Sequence, residues 1–239
     1  MKAAVFDLDH TLLPIDSGDA WSRWVVRHAG LDQAAFDKKI QAYADAYHEG
    51  RFDPNEFVAF QCSLLKSAPK AAMVKWRDQF IEAVVKPALR PEAFALLESR
   101  RAEGFEIVLA TGTHSFVTAE VAKLFGIRYL AAATPEENAE GEFTGRVVGS
   151  PSYGEGKLVL VKALLEKLEA ERGELLQAVE AWSDSINDLP LLDWAANFGN
   201  APGRSGRAVA VNPDSALLGV AICRHWSVLD LFHKERADV

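Results

Sequence analysis

The stretch Ala3-Ala4-Val5-Phe6-Asp7-Leu8-Asp9-His10-Thr11 decides how this chain is read. Residues 3–6 form an apolar run without polar alternation, the pattern of a strand buried on both faces of a parallel sheet. The run stops at two carboxylates two residues apart. Acidic side chains are depleted in strands and costly in a buried sheet, so a pair at a strand end calls for a cation or a chemical task. In an extended chain, positions i and i+2 face the same side, so Asp7 and Asp9 can approach one ligand. A strand ending in a solvated acidic turn would account for this pair taken alone.

The same form recurs downstream. Phe105 to Ala110 ends in Thr111-Gly112-Thr113, and Ala178 to Trp182 ends in Ser183-Asp184. Ala208 to Val211 and Arg128 to Ala132 read as further strands. Helical spacing alternates with them over Ser115 to Phe125, Lys157 to Leu168 and Pro190 to Ala196. Alternation of this kind predicts an α/β fold with a doubly wound, mostly parallel sheet. Ligands in such sheets bind beyond the carboxyl ends of the strands, where Asp7, Thr111 and Asp184 fall.

Residues 16–90 do not alternate. Amphipathic helical patterns run over about 19–29, 33–49, 55–66 and 70–85 with no strand signal between them. The expected organisation is an α/β core of residues 1–15 and 91–239 with a helical cap domain, 16–90, inserted after the first strand. The aromatics along its helices, such as Trp21, Trp24, Phe57 and Phe60, read as packing residues, as do Trp182 and Trp194. The Glu-rich stretch 134–145 reads as a solvated loop or hairpin.

A second acidic constellation follows the strand at Ala178, in Ser183-Asp184-Ser185-Ile186-Asn187-Asp188-Leu189-Pro190. If both strands are central, Asp7, Asp9, Asp184 and Asp188 converge at one sheet edge. Carboxylates so close do not all ionise near neutral pH without a cation among them. Mg²⁺ suits such a site, since it takes oxygen ligands and keeps water and substrate phosphate in its shell. Thr111, Gly112 and Thr113 open a helix, which makes either an anion site or an N-cap by Thr113 or His114. Gly154-Glu155-Gly156-Lys157 opens another, and a lysine in a first turn opposes the macrodipole. Facing a phosphate would explain it; a solvated side chain is the plainer alternative.

Asp-x-Asp-x-Thr after strand one, a hydroxyl residue after a second strand, a helix-opening lysine and Ser-Asp-Ser-x-x-Asp, in this order over residues 7–188, resemble the haloacid dehalogenase superfamily. The helical insert and the run Tyr153 to Lys157 resemble its phosphoserine-phosphatase-like subfamily, IB. That resemblance implies a Rossmann-like core with an all-helical cap of the C1 type. It implies a Mg²⁺-dependent phosphatase in which Asp7 is the nucleophile and forms an aspartyl-phosphate. Asp9 is then the acid and base, and Thr111 and Lys157 bind the phosphoryl group. The metal ligands implied are Asp7, the Asp9 carbonyl and Asp184, with Asp188 a further ligand or the partner that orients Lys157. Gly112 lines the phosphate site, and Thr111 is preferred to Thr113 because it directly ends the strand.

In the resembled phosphatases an acid nine positions after the nucleophile meets the substrate ammonium, and Asp16 holds that offset. It is equally placed to cap the first cap helix. The family's carboxylate-binding arginine has no counterpart in Phe57-Val58-Ala59-Phe60-Gln61, and Arg51 lies outside the matched motif. An ester bearing an amine and no carboxylate, such as histidinol phosphate, is therefore the expected substrate. Phosphoserine hydrolysis, or phosphoryl transfer from the same aspartyl-phosphate, are the alternatives.

Composition agrees. Lys plus Arg number 26 against 34 for Asp plus Glu, a net charge of −8, so no basic face exists for a nucleic-acid backbone. No run reaches the roughly 18 apolar residues of a membrane span. Carboxylates at Asp7 and Asp9 interrupt what would be a signal peptide's apolar region, and a cytoplasmic location is expected. Two distant cysteines, Cys62 and Cys223, are expected to be buried thiols. His10 reads as a lining residue at most, and His28, His48, His225 and His233 lack metal-ligand spacing. A dinucleotide-binding turn is excluded because residues 7–12 hold no glycine. The partner expected is a small phosphate ester, with the chain a monomer or homodimer.

Overall fold

A computed structural model describes residues 1–49 and 51–232. The side chains of Tyr47 and His48, and His233 with the rest of 233–239, lie outside the described residues. The strands are β1 (Lys2–Phe6), β2 (Phe105–Thr111), β3 (Tyr129–Ala132), β4 (Thr134–Glu137), β5 (Phe143–Val148), β6 (Ala178–Ser183), β7 (Ser205–Val211) and β8 (Ser227–Leu229). Six of them form one parallel sheet in the order β3-β2-β1-β6-β7-β8. The chain order reverses between β1 and β6, which opens a crevice at their carboxyl ends. Asp7 and Asp184 stand on its two sides.

Alternation along β1 explains the layering. Ala3 and Val5 join Val108, Ala110, Val179 and Ala181 in one core. Over this face lie α8 (Glu155–Arg172), α9 (Leu189–Phe198) and α10 (Ser215–Cys223), through Leu158, Val161, Leu165, Leu191, Leu192 and Leu217. Ala4 and Phe6 point the other way, with Leu109, Trp182 and Val209, against α6 (Pro91–Ala102) and α7 (Ser115–Leu124). Helix α8 outruns its expected end and stops at Gly173, whose φ of +66° supplies a left-handed cap.

Between β1 and α6 the chain is helical, as α1 (Ser17–His28), α2 (Gln33–His48), α3 (Pro54–Leu64), α4 (Lys70–Phe80) and the short α5 (Lys86–Ala88). A π-helical turn at Ile81–Val85 joins the last two. Trp21, Val25, Met73, Phe80 and Val85 from this insert belong to the same apolar cluster as Phe6 and Leu109 of the sheet. The insert is therefore seated on the sheet by hydrophobic contact, and its aromatics pack, with Trp21 meeting Phe80 at 5.5 Å. Trp182 stacks on Phe6 at 5.2 Å, and Trp194 meets Phe198 at 5.8 Å.

The stretch 134–145 belongs to an antiparallel hairpin, β4–β5, that leans on the insert. Val147 packs with Val58 and Cys62, and Glu142 Oε2 accepts from the Lys70 backbone N–H at 2.6 Å. Helix α10 ends at Cys223, which is exposed, so the expectation of two buried thiols holds for Cys62 alone. Leu217 and Ala221 are the buried residues of that helix, which is apolar all round and also exposes Leu218 and Ile222, and Cys223 lies off the buried stripe. The C-terminal stretch from Trp226 supplies β8 to the sheet and buries Leu231.

Gly206 on β7 shows how closely α9 is pressed to the sheet. A Cβ there would lie 2.1 Å from the Ala195 carbonyl oxygen and 2.7 Å from the Gly199 nitrogen. Gly206→Ala should therefore force α9 off β7 and cost about 2 kcal/mol. In a chain of this size that is a fall of about 5 °C in Tm, read by calorimetry. An unchanged midpoint would show that the helix shifts freely.

Candidate active site

Asp7 follows directly on β1, and its backbone N–H donates to the Trp182 carbonyl at 2.9 Å, so the parallel ladder fixes its position. Lys157 comes from the first turn of α8. The turn is built tightly: Gly154 has φ +52°, and a Cβ on Gly156 would sit 2.3 Å from the Pro151 carbonyl oxygen. Glycine there lets α8 start close against the preceding loop and bring Lys157 inward. Its Nζ lies 2.8 Å from Asp7 Oδ1 and 2.7 Å from Asp188 Oδ2, with all three residues buried. Burial opposes the ammonium charge, but Asp188 and Asp7 outweigh it and hold the lysine above its usual range. Asp188 is in turn fixed by the Ser183 hydroxyl, which donates to Oδ2 at 2.7 Å.

Thr11 ties the two acidic loops together. Its Oγ1 lies 3.3 Å from both Asp7 Oδ2 and Asp184 Oδ1, and it accepts from the Asp184 backbone N–H at 3.0 Å. Burial pushes Asp7 up to about 6 against the pull of Lys157. Burial, then Asp7 and Asp188, push Asp184 up to about 8. Asp9 is pushed up to about 7 by burial and by the charges of Asp16 and Asp7. Its Oδ1 accepts from the Ser17 backbone N–H at 2.8 Å, and its Oδ2 from the Thr113 hydroxyl at 3.0 Å.

The four acids thus meet at one edge without forming a single cluster. Asp188 faces Lys157, and Asp9 faces the start of α1. Among the described residues, no three carboxylate, imidazole or thiolate groups stand together as a ready set of metal ligands. Thr111 is fully buried at the end of β2 and accepts from the Thr113 backbone N–H at 3.2 Å. The two threonines therefore divide, Thr111 to the strand end and Thr113 to Asp9, with Gly112 between them. Asp16 caps α1, accepting from the Asp19 N–H through Oδ1 at 2.7 Å, and remains exposed. Arg51 is exposed and pairs with Glu49.

Several positioning groups were not singled out from the sequence. Asp214 caps α10 through Oδ1, accepts from the Ile186 N–H through Oδ2 at 2.9 Å, and donates its own N–H to the Asp184 carbonyl at 2.7 Å. An acid just before an apolar helical run is an N-cap signal and marks this residue, though not its reach to residues 184–186. Asn212, at φ +45°, donates to the His10 carbonyl at 2.8 Å and accepts from the Leu231 N–H at 2.7 Å. Ser17 acts through its main chain, which no sequence pattern reports. His114, one of the two N-cap candidates named from the sequence, does stand at the N-cap of α7, but it is buried, makes no side-chain cap bond, and neither ring nitrogen has a partner among the described residues. Burial pushes it down to about 4.

A buried carboxylate held by a lysine stands at the switch point of a parallel α/β sheet, with a second acid two residues on. The haloacid dehalogenase-like hydrolase family matches residues 4–193. A histidinol-phosphatase from Neisseria meningitidis serogroup C (strain 8013) is 31% identical over 230 residues, covering 95% of this chain and 97% of that protein. Phosphoserine phosphatase SerB1 from Mycobacterium tuberculosis (strain ATCC 25618 / H37Rv) is 26% identical over 231 residues, covering 95% and 70%. A solved structure of a protein of unknown function from Bordetella pertussis Tohama I superposes with TM-score 0.83 at 33% identity, over 97% of this chain and 99% of that one. The chain belongs to the haloacid dehalogenase-like hydrolases, and within them to the phosphatases, which hydrolyse phosphoric monoesters.

His114 gives a pH test. Its folded value is depressed, so between pH 6.5 and 4 the unfolded chain takes up a proton that the folded one refuses. Stability from this group is present above pH 6.5 and falls by about 1.4 kcal/mol per pH unit on acidification through that window. Denaturant titrations of wild type and His114→Leu should converge or cross as pH drops from 6.5 to 4. Parallel curves would mean that the imidazole charges freely in the folded state.

Proposed function

We propose that this phosphatase hydrolyses a small amine-bearing phosphomonoester, histidinol phosphate first, through an aspartyl-phosphate on Asp7. The observation that carries the reading is the buried Lys157 shared between Asp7 and Asp188, with Asp9 near neutrality beside them. Lys157 fixes Asp7 through Oδ1 and leaves Oδ2 as the attacking atom. As Oδ2 bonds to phosphorus, the ester P–O bond breaks, and protonated Asp9 gives its proton to the leaving oxygen. Asp9, now ionised, takes a proton from the water that attacks the aspartyl-phosphate, and phosphate leaves with Asp7 restored. A value of about 7 suits a group that must do both. Thr111, Gly112 and Lys157 bind the phosphoryl oxygens.

The donors fit Mg²⁺: one ammonium stands against four carboxylates, and burial together with the neighbouring carboxylate charges raises Asp9 and Asp184. Asp7, the Asp9 carbonyl and Asp184 would hold the ion, with Asp188 orienting Lys157. When bound, the ion would neutralise charge on the transferring phosphoryl group. Residues 16–90 act as the cap domain over the core of 1–15 and 91–239. The amine preference rests on Asp16 and on the lack of a basic residue in Phe57 to Gln61, and the Neisseria relative's name agrees with it. No helix among the described residues is long and apolar enough to cross a membrane, and we assign the enzyme to the cytoplasm.

Phosphate release from a panel of small phosphomonoesters tests this. Turnover should require Mg²⁺, stop with chelator, and fall by at least about 10⁴-fold in Asp7→Asn, since covalent catalysis is lost. Wild type should prefer histidinol phosphate to phosphoserine. Full activity in Asp7→Asn would sink the mechanism, and a phosphoserine preference would sink the substrate assignment.

A further inference from the structure

Beyond Asp16, the helical insert holds a cavity of about 340 Å³ lined by Asp16, Asp19, Ile40, Tyr43, Phe52 and Phe57. Its size is at the low end for small-molecule sites, and its lining, apolar and aromatic with a few polar groups, is of the kind such sites use. The aromatic side is a connected set. Tyr43 meets Phe57 edge-on at 5.2 Å, Phe52 meets Phe57 at 5.5 Å, and Phe52 meets Tyr153 at 5.3 Å. These three residues of the insert are only half-buried, unlike Val58 and Cys62 on the same helix as Phe57. Packing alone leaves ring surface facing the cavity.

Two links join this cavity to the reacting groups. Asp16 Oδ1 lies 3.4 Å from the Cβ position of Gly18, and that position is 2.7 Å from Thr113 Oγ1. Thr113 holds Asp9. On the other side, Phe52 touches Tyr153, whose carbonyl accepts from the Lys157 backbone N–H at 3.4 Å. The cavity therefore lies beside the Gly18–Thr113 contact that borders Asp9, and its aromatic wall touches the loop before Lys157. Asp16 and Asp19 line it; Asp19 pairs with Arg23 through Oδ2 and leaves a buried Oδ1 with no partner among the described residues. Aromatic faces beside unsatisfied carboxylate oxygens attract a flat, cation-bearing group.

We infer that Tyr43, Phe52 and Phe57 form a ring-binding subsite for the leaving group, so that the enzyme selects esters carrying a flat nitrogen heterocycle beside the amine. The inference rests on the amine-ester reading above and adds the ring to it. Asp16 takes the ammonium, and the three aromatics take the heterocycle's face. Gln61, buried near Gly18 with its Nε2 3.1 Å from that residue's Cβ position, is uncharged; of the cations at the cavity's lining residues, Arg23 is paired with Asp19 and Asp37, and Lys39 lies 5.0 Å from the Tyr43 ring centroid.

The test compares kcat/KM for histidinol phosphate and phosphoethanolamine in the Mg²⁺-loaded enzyme. Both esters carry the amine, and only one carries the ring. Phe52→Leu and Tyr43→Leu should lower the ratio of the two constants roughly tenfold, mainly through KM for the ring-bearing ester. Phe52→Tyr should restore it. A merely structural role would lower both constants together and leave the ratio unmoved, which overturns the subsite. Wild type that prefers histidinol phosphate, with the preference intact in both Leu variants, also overturns the subsite while sparing the amine reading. Wild type that turns over neither amine ester overturns both.

Discussion

The ammonium of Lys157 between Asp7 and Asp188 is the interaction on which the site depends. Three ionised groups are taken out of water, and each is tolerable only because the others are present. Removing one partner from such a buried set costs about 3–5 kcal/mol, because a charge is left uncompensated. The same contact joins three elements distant in sequence: the end of β1, the start of α8 and the loop after β6. It therefore places Asp7 and also holds the switch-point crevice in shape. The tight turn at Gly154 and Gly156 and the Ser183 hydroxyl on Asp188 serve that contact.

Much of this was legible in the sequence because buried charge is rare and conspicuous. Acids at the ends of apolar strands, and a lysine where the helix dipole disfavours one, stand out against the background of solvated side chains. Asp7, Lys157 and Asp188 meet as that pattern suggested. The strands were legible for the same reason, as unbroken apolar runs, though β8 escaped because three residues at a sheet edge leave little pattern. What stayed hidden acts through the main chain or through distant loops. Ser17 holds Asp9 with its backbone N–H, and Asp214 spans from α10 to the loop at Ile186. Asn212 depends on a positive φ that its neighbours do not announce. The hairpin was readable as a hairpin, but its seat against Lys70 and Val58 is tertiary information.

The helical insert and the sheet share one apolar cluster, from Phe6 through Trp21 to Phe80. Burial of this kind is non-directional and scales with area, so it seats the insert without fixing its rim. The rim is set by polar contacts instead: Ser17 to Asp9, Thr113 to Asp9, and the hairpin's Glu142 to Lys70. Two of these three run through Asp9. Ionisation of Asp9 and the seating of α1 on the core are thus one coupled event, since the Ser17 N–H bond favours the charged form.

Charge placement bears on how a protein with a net charge of −8 attracts an anionic substrate. At the catalytic centre a single ammonium stands against Asp7, Asp9, Asp184 and Asp188, so the protein alone repels phosphate there. On the proposed reading, a divalent cation would reverse the sign at that end. At the other end, Asp16 and Asp19 remain, and Gln61 adds no charge. On the same reading, a phosphate ester would align with its anion toward the crevice and its cation toward Asp16, and a carboxylate at that end would be repelled. The field proposed in this way would orient a zwitterionic ester before any contact forms, with Lys157 bonded to Asp7 and Asp188 at one end and Asp16 at the start of α1 at the other.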